Sequence, residues 1–225
     1  MQLNDDCREA DTSFTTMRLH LENHHCMSLI KKAFFPVMLL ATWVTAEAQV
    51  GPMGLKTNTA APDFIAKDQN GGVFHLASSL TKGPVLLVFY RGQWCPFCNK
   101  ELKALEDSLN LLVRKGVPLV AVTPELQENV SKTIAKTGAT YPILHDEGLK
   151  IMKSYDVAYA VDSTWTARYL KFGVDVARNN GSNGNNLPVP AIYIIDRKGI
   201  IVYRFFEPDF RIRPSVAEMI SHLPE

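Results

Sequence analysis

The stretch VLLVFYRGQWCPFC, residues 85–98, decides the fold of this chain. Its first six residues form a continuous apolar run, which is typical of a central strand that is covered on both faces. Cys95 and Cys98 follow directly, separated by two residues, where the strand leads into a helix. Two thiols one helical turn apart can close a small disulfide ring, so the pattern predicts a redox-active pair.

Pro96 indicates where this helix begins. Proline has no N–H and a fixed φ that suits the first helical position, so we expect Cys95 at or near the N-cap. The free backbone N–H groups and the positive end of the helix dipole stabilise a thiolate there. Such positions lower the pKa of a thiol from about 8.5 to roughly 3.5–7.5.

A structural zinc site is the alternative for a Cys-x-x-Cys pair. Zinc needs about four ligands, usually including a second Cys or His pair. The nearest histidine, His75, precedes the strand, and no cysteine follows Cys98. We therefore expect no metal site and no bound cofactor.

The N-terminal part of the chain has the features of a secretory signal peptide. A basic stub at residues 27–32 precedes the apolar stretch 33–44, and the sequence AEA at 46–48 supplies the small residues of a cleavage site. We therefore predict a signal peptide over 27–48, export to the periplasm, and a mature chain that begins near Gln49. A retained anchor is the alternative, although the apolar stretch is shorter than the ~20 residues of a transmembrane helix.

Residues 1–26 precede this signal and lack apolar periodicity. Because a signal peptide must lie at the N-terminus, we interpret residues 1–26 as a spurious upstream extension, with Met27 as the initiator. After cleavage we expect no stable membrane insertion, and Cys95 and Cys98 are then the only thiols. An exported, oxidising compartment suits thiol–disulfide chemistry.

Charge and length restrict the remaining classes. The chain has 24 Lys and Arg against 23 Asp and Glu, a net charge of +1 at pH 7. This balance lacks the basic excess of nucleic-acid-binding proteins, so we expect no nucleic-acid partner. The length that follows the signal suits one domain with its own core. We predict a flexible lead-in over 49–61 and a single domain over 62–225.

Strands and helices alternate along this domain. Apolar residues flank Asn70-Gly71-Gly72 and predict a hairpin, and apolar residues at helical spacing predict one helix from Pro96 to Lys115. Further strands are predicted over 117–122, 141–144, 191–196 and 200–206, and further helices over 125–136, 147–155 and 214–223. The order predicts an α/β fold with a central mixed β-sheet flanked by helices and an N-terminal β-hairpin extension.

Three segments carry a family resemblance: FYRGQWCPFCN at 89–99, LPVPA at 187–191 and DFR at 209–211. The strand, the Trp-Cys-x-x-Cys motif and the helix resemble the thioredoxin fold. More narrowly, the segments resemble the peroxiredoxin-like branch of the alkyl hydroperoxide reductase/thiol-specific antioxidant (AhpC/TSA) family, from Ala61 to the C-terminus. The resemblance implies a thioredoxin-like fold and thiol-dependent redox chemistry.

Two departures from the family pattern affect the reacting site. Typical peroxiredoxins carry Pro-x-x-x-Thr-x-x-Cys, and alignment on the strand puts Cys98 at the peroxidatic position and Cys95 at the Thr. The family's Arg before a later strand is replaced by Pro190. Both lost groups orient the peroxide and stabilise its developing charge. Arg91 either compensates through its guanidinium donors or is a salt-bridged residue at a strand end.

The resemblance to thioredoxins inverts the roles of the two thiols. Cys95, exposed at the helix start, is then the nucleophile, and Cys98, which is more buried, resolves the mixed disulfide. Pro190 matches the cis-proline that faces the pair and offers backbone pairing to substrate. Because the Thr and the Arg are absent, we choose Cys95 as the nucleophile. Trp94 either shields the pair and shapes its entry or is an ordinary core residue.

Other features carry weaker signals. Glu101 is either a proton carrier for the pair or, as we favour, a solvated carboxylate in the first turn of the helix. Residues 179–186, NNGSNGNN, predict a mobile loop, and their position ahead of Pro190 suggests a lid. The aromatic residues at helix-like spacing in the preceding insertion fit either core packing, which we favour, or a substrate groove: Trp165, Tyr169 and Phe172.

These observations predict an exported thiol-dependent oxidoreductase that reduces hydroperoxides through a Cys95–Cys98 dithiol/disulfide cycle. A thioredoxin-like reductant would restore the dithiol. The alternative is a thiol-disulfide reductase or isomerase that acts on protein disulfides, and a third possibility is a non-catalytic binding module of the same fold.

Overall fold

The structure, a computed structural model, describes residues 51–224. The expectations for the extension 1–26, the signal peptide 27–48 and the cleavage site before Gln49 lie outside the described residues. Among residues 51–224, no helix is both long and apolar enough to span a bilayer.

Strands and helices alternate as predicted. The strands are β1 (Ile65–Lys67), β2 (Val73–His75), β3 (Val85–Phe89), β4 (Leu119–Thr123), β5 (Ile143–His145), β6 (Ala158–Ala160), β7 (Asn186–Pro188), β8 (Ala191–Ile195) and β9 (Ile201–Phe206). The α-helices are α1 (Leu76–Leu80), α2 (Pro96–Asp107), α3 (Leu109–Arg114), α4 (Gln127–Thr137), α5 (Lys150–Ser154), α6 (Ser163–Lys171), α7 (Val176–Asn180) and α8 (Val216–Ser221). Short 3₁₀ helices span Glu147–Leu149 and Gly181–Asn183.

Five strands form the central sheet in the order β5-β4-β3-β8-β9. β3 pairs in parallel with β4, and β4 with β5, whereas β3–β8 and β8–β9 are antiparallel. Every residue of β3, β4 and β8 is buried, because layers of side chains cover both faces of the sheet. The predicted mixed sheet flanked by helices is therefore confirmed, and its central strand β3 leads directly to the cysteine pair.

The two faces of the sheet carry separate apolar cores. Leu87 and Phe89 of β3 face a core that includes the α5 region and the β1–β2 hairpin. Leu86 and Val88 face the other core, which holds both cysteines and the apolar side of α2. The pair therefore lies against one face of the sheet, with its helix packed into the core beneath.

The predicted hairpin extension is also confirmed. β1 and β2 are antiparallel and pair Ile65 with His75. The helix predicted over 96–115, in contrast, is interrupted. Ser108 leaves the helical conformation, with φ −105° and ψ 3°, and separates α2 from α3. Serine side chains compete for backbone hydrogen bonds and favour helix ends, which explains the break.

The lead-in differs from the flexible segment expected over 49–61. Main-chain hydrogen bonds tie it to the domain: Gly54 N–H donates to Asp156 C=O (2.9 Å), Asn58 N–H to Ile201 C=O (2.8 Å) and Ala61 N–H to Gly199 C=O (2.8 Å). Ala60 also forms a bridge with Ile200. Residues from about 54 onwards therefore belong to the folded domain.

An insertion between α5 and β8 builds one wall above the sheet. β6 and β7 pair antiparallel, with Tyr159 opposite Leu187. α6 and α7 lie between these strands, and each begins with an aspartate N-cap, Asp162 and Asp175, whose side chain accepts a backbone N–H. Such caps satisfy N–H groups that the first helical turn leaves free.

Candidate active site

Cys95 is the N-cap of α2, as the sequence predicted. Its backbone is extended, with φ −86° and ψ 108°, and Pro96 occupies the first helical turn. The backbone N–H of Cys98 donates to Cys95 Sγ over 3.3 Å. Both thiols are free. The helix start thus directs a backbone donor at the first sulfur of the pair.

The two thiols have opposite pKa shifts. A hydrogen bond from the Cys98 side chain lowers the pKa of Cys95 to about 7, with help from the charges of Arg91 and Arg213, while burial opposes the shift. Burial raises the pKa of Cys98 well above that of an ordinary thiol, and the neighbouring Cys95 adds to this. At neutral pH a large fraction of Cys95 is therefore thiolate, whereas Cys98 keeps its proton.

The structure corrects the expected exposure of Cys95. Its relative exposure is 1%, and that of Cys98 is 0%. Cys95 still lines a cavity, together with Pro96 and Phe97, whereas Cys98 lies beneath it in the core. Cys95 is covered because the insertion and the loop after β9 form walls above the helix start.

Arg91 lies under this cavity as a buried cation. Its guanidinium carbon is 4.0 Å from the ring centre of Phe210, 4.8 Å from that of Trp94 and 5.4 Å from that of Tyr169. It also donates to the hydroxyl of Tyr169. Arg91 makes no ion pair within residues 51–224, so the salt-bridged alternative does not apply. Aromatic faces hold the cation near Cys95 without neutralising it.

Arg213 was not identified from the sequence. It precedes α8, and its Nη2 lies 3.6 Å from Cys98 Sγ. Its Nε donates to Glu101 Oε2 over 2.9 Å. A guanidinium from another part of the chain therefore reaches the pair, although Pro190 stands where the family has Arg. No local signal marks Arg213, because 115 residues separate it from Cys98.

Glu101 is not the solvated carboxylate that we favoured. It is buried, and α2 directs it inward, where it pairs with Arg213. Burial raises the pKa of Glu101 to about 8, against the pull of the Arg213 charge. Glu101 therefore has a pKa suited to a proton carrier, and it lies one helical turn from Cys98.

Pro190 faces the cavity, but its peptide bond is trans, as is every described peptide bond. The expected cis-proline is wrong. The Val189 N–H donates to Val157 C=O over 2.8 Å, and the Pro190 C=O accepts from Glu207 N–H over 3.3 Å. The inserted β6–β7 hairpin and the end of β9 thus occupy the backbone groups that a substrate chain would pair with.

The cavity is a groove of about 1250 Å³ above Cys95. Arg91, Trp94 and Pro190, which the sequence proposed around the pair, all line it. So do the three aromatic residues of the insertion, for which core packing was favoured: Trp165, Tyr169 and Phe172. That preference is wrong for Phe172 and Trp165, which are 75% and 41% exposed, whereas Tyr169 also packs against the small apolar cluster of Val161, Val176 and Leu187. The groove is mainly apolar, with Arg91 at its base.

The Asn-rich segment 179–186 is not a mobile lid. Asn180 and Asn183 are buried. Asn183 Nδ2 donates to Pro124 C=O (2.8 Å) and Asp146 C=O (3.0 Å), and its Oδ1 accepts from Gly148 N–H (2.9 Å). Asparagine side chains mimic backbone groups in this way, so the segment joins the loops that follow β4 and β5 instead of covering the site.

Comparison with known proteins assigns the family. The model described as AhpC/TSA family matches residues 57–204. The chain belongs to the AhpC/TSA family. This confirms the resemblance seen in the motifs around the cysteine pair. Among the residues described, no group of three or more His, Cys, Asp or Glu side chains could hold a metal ion.

Two kinds of curated relative match this AhpC/TSA chain. Peroxiredoxin Q, chloroplastic, of Triticum aestivum is 25% identical over 154 residues, which is 67% of this chain and 60% of that protein. The thiol-disulfide oxidoreductase ResA of Geobacillus thermodenitrificans is 32% identical over 100 residues, 44% of this chain and 56% of that protein. The chain thus spans about 60% of the length of these relatives.

Solved structures share the fold. Peroxidoxin BcpB from Mycobacterium tuberculosis superposes with a TM-score of 0.54 at 20% identity, over 68% of this chain and 86% of that one. The thioredoxin domain of a thiol-disulfide oxidoreductase from Bacteroides vulgatus gives 0.51 at 19% identity, over 76% and 99%. The thioredoxin-like architecture predicted from the sequence is therefore confirmed.

Proposed function

We propose that this protein is an exported thiol-dependent peroxidase that reduces hydroperoxides through a Cys95–Cys98 dithiol/disulfide cycle. The observation that carries the proposal is the asymmetry of the pair. Cys95, with a pKa lowered to about 7, opens to the groove, and Cys98 keeps its proton below it. A low-pKa thiolate that lines a groove is the nucleophile that attack on an O–O bond requires.

The chemistry balances with the two thiols and one peroxide. The Cys95 thiolate attacks the terminal oxygen of R–O–OH, the O–O bond breaks, and the alkoxide leaves and takes a proton from solvent water as R–OH. Cys95 is then a sulfenic acid. The Cys98 thiol gives up its proton and attacks Cys95 Sγ, the S–O bond breaks, and the hydroxyl leaves with that proton as water. A dithiol reductant then reduces the Cys95–Cys98 disulfide.

Two guanidinium groups support the charged steps. Arg91 is close enough to lower the pKa of Cys95 and lines the groove where the peroxide would bind. Arg213 contacts Cys98 and Glu101 from the core side. In this arrangement Arg91 stabilises the charge that develops on the departing oxygen. Glu101, whose pKa of about 8 keeps it mostly protonated at neutral pH, is a proton donor one helical turn from Cys98.

The walls of the groove favour a small hydroperoxide over a protein disulfide. A peptide substrate in thioredoxin-like recognition would pair with the backbone before Pro190. Here the Val189 N–H is already bonded to Val157 C=O. A protein chain would have to break that bond before it could pair, whereas a hydroperoxide needs only the apolar groove and Arg91.

One of the curated relatives supports a second candidate function. ResA is named a thiol-disulfide oxidoreductase, so the second candidate is a reductase or isomerase of protein disulfides. A non-catalytic binding module is the third. The physiological reductant of the first candidate is a thioredoxin-like dithiol protein.

Reaction of the reduced protein with one equivalent of cumene hydroperoxide tests the proposal. We expect loss of two thiols and a Cys95–Cys98 disulfide in the mass spectrum, at a rate far above that of free cysteine. Cys98→Ser should accumulate sulfenic acid at Cys95, whereas Cys95→Ser should lose the fast reaction. Rapid consumption by Cys95→Ser with sulfenate at Cys98 would reverse the assignment. Insulin reduction without peroxide turnover would favour the second candidate, and neither activity the third.

Export has its own test. Expression of the full coding sequence should yield periplasmic protein whose N-terminus is Gln49, because residues 46–48 supply the small residues of the cleavage site. An intact Met1 or Met27 terminus on the recovered protein would contradict it.

A further inference from the structure

Glu125 is a buried carboxyl that the reaction above does not use. It lies between β4 and α4, with a relative exposure of 0%. It forms no ion pair within residues 51–224, and its Oε1 has no hydrogen-bond partner there. A buried carboxyl without a cation is costly, so its retention at this point needs a reason.

The contacts of Glu125 lead to the turn before Cys95. Its Oε2 accepts the backbone N–H of Gln93 over 2.6 Å. The carboxyl also packs against Gly92, where an added Cβ would lie 2.6 Å from Glu125 Oε1. Only glycine allows this approach. The same Cβ position is 2.6 Å from Trp94 Nε1, another buried atom without a hydrogen-bond partner among the described residues.

The turn is held from its other side as well. Lys136 of α4 donates to Gln93 C=O over 2.9 Å, and Asn99 of α2 donates to the same oxygen over 2.8 Å. Within the turn, Cys95 N–H donates to Gly92 C=O over 3.1 Å. A change at the carboxyl of Glu125 therefore reaches Cys95 through one peptide unit and one hydrogen bond.

We propose that Glu125 is a positioning residue for the cysteine pair: its carboxyl fixes the Gly92–Trp94 turn that presents Cys95, and its ionisation is transmitted to that turn. This inference rests on the proposed function only in taking Cys95 as the reacting thiol. In the neutral state the carbonyl oxygen of the acid accepts the Gln93 N–H. In the ionised state the same bond is charge-assisted and stronger, and a negative charge lies under the pair.

Several ionisable groups surround Glu125. Burial raises the pKa of Glu125 to about 8; the Gln93 N–H opposes this, Cys98 of α2 adds to it, and Lys136 and Lys132 of α4 oppose it. Tyr90, at the end of β3, also senses the charge of Glu125. His145 of β5 contacts its main chain, where Nδ1 lies 2.7 Å from Glu125 C=O. Any test must therefore separate Glu125 from the thiols.

The indole N–H of Trp94 provides a spectroscopic readout. In a Cys95→Ser/Cys98→Ser background neither thiol of the pair titrates, and Trp94→Phe assigns the resonance. We expect the Trp94 indole signal to titrate with a midpoint above the usual carboxyl range. The titration should vanish in Glu125→Gln and persist in Glu128→Gln, an exposed carboxyl of α4 that serves as the matched control. A titration that survives Glu125→Gln overturns the proposal.

Alkylation of Cys95 by iodoacetamide tests the effect of Glu125 on the reactivity of Cys95. Because no peroxide is used, this test remains valid even if the proposed peroxidase function is wrong. Glu125→Gln should react like the parent at pH 6, where both are neutral, and diverge from it at pH 9. Glu125→Leu removes the acceptor and should slow the reaction roughly tenfold or more at both pH values, because small misplacements cost that much. A purely structural role predicts a constant ratio between the alkylation rates of Glu125→Gln and the parent at every pH, and that result would refute the proposal. Unaltered rates in both Glu125→Gln and Glu125→Leu would also refute it.

Discussion

At the scale of single residues, the pair is made unequal by what each sulfur contacts. Cys95 receives the backbone N–H of Cys98 and lies near Arg91, whereas Cys98 is enclosed in the core with Arg213 as its charged neighbour. The thiol of Cys98 is itself the largest cause of the lowered Cys95 pKa. In the proposed cycle, the residue that resolves the sulfenic acid would therefore also activate the thiol that attacks the peroxide.

This arrangement predicts different effects for two substitutions of Cys98. Cys98→Ala removes the side-chain donor, so the pKa of Cys95 should rise and its alkylation rate at pH 7 should fall several-fold. Cys98→Ser keeps a hydroxyl donor and should retain most of the rate. The measurement is the pH dependence of iodoacetamide alkylation, which in the parent should rise through pH 7 and level off above it, since the pKa of Cys95 is about 7. Equal rates in the two variants would show that the donor has no role.

At the scale of elements, the insertion between α5 and β8 contributes both the groove and its support. α6 has no buried residues and presents Trp165 and Tyr169 to the groove. Behind it, the Asn-rich segment joins the loops that follow β4 and β5. The insertion thus has two parts: α6 forms a wall of the groove, and the Asn-rich segment forms a clasp that joins the two loops.

Trp165→Ala tests the wall. It removes apolar surface from the groove, so KM for cumene hydroperoxide should rise roughly tenfold while KM for hydrogen peroxide stays unchanged. Leu170→Ala is the matched control, because Leu170 lies on the same helix, is 53% exposed and does not line the groove. Equal changes for both peroxides would mean that the groove does not select by size.

Asn183→Ala tests the clasp. The change leaves two carbonyls and one N–H of the joined loops without their buried partner, which should lower the free energy of unfolding by about 2–4 kcal/mol. Ser182→Ala, exposed in the same segment, should stay within about 0.5 kcal/mol of the parent. Urea denaturation gives both values. A lid role would instead change kcat/KM without changing stability.

At the scale of the whole molecule, buried carboxyls link stability to pH. Burial raises the pKa of both Glu101 and Glu125 to about 8 from the ordinary 4.5. The folded state then binds more protons than the unfolded state between these values, so stability is fully present at low pH and falls as pH rises. Cys95, whose pKa is lowered, has the opposite effect above pH 7.

The effect of the two carboxyls on stability is therefore clearest between pH 5 and 7, below the range in which Cys95 contributes. Each carboxyl should lower the free energy of unfolding by about 2 kcal/mol over this interval. Urea denaturation at pH 5, 6 and 7 measures the slope. Glu101→Gln and Glu125→Gln should each flatten it, and Glu128→Gln should not. A stability that rises from pH 5 to 7 would show that both carboxyls are ionised in the folded state.

What the sequence by itself determined is local. The apolar run of β3, Pro96 after Cys95 and the spacing to Cys98 are enough to predict a central strand, an N-cap thiol and a redox pair, because each follows from neighbouring residues. The hairpin glycines and the alternation of elements predicted the mixed sheet in the same way. The residues that predict each of these features lie within one helical turn or one strand of each other in the sequence.

Only the tertiary structure decided the surroundings of the pair. Arg213 reaches Cys98 from 115 residues away, and Glu101 is buried because that guanidinium meets it. The trans peptide at Pro190 and the occupied Val189 N–H depend on a hairpin that inserts beside β8. The physical reason is the same throughout: burial and charge pairing depend on which distant segments pack together, and no periodicity or spacing within a segment records that.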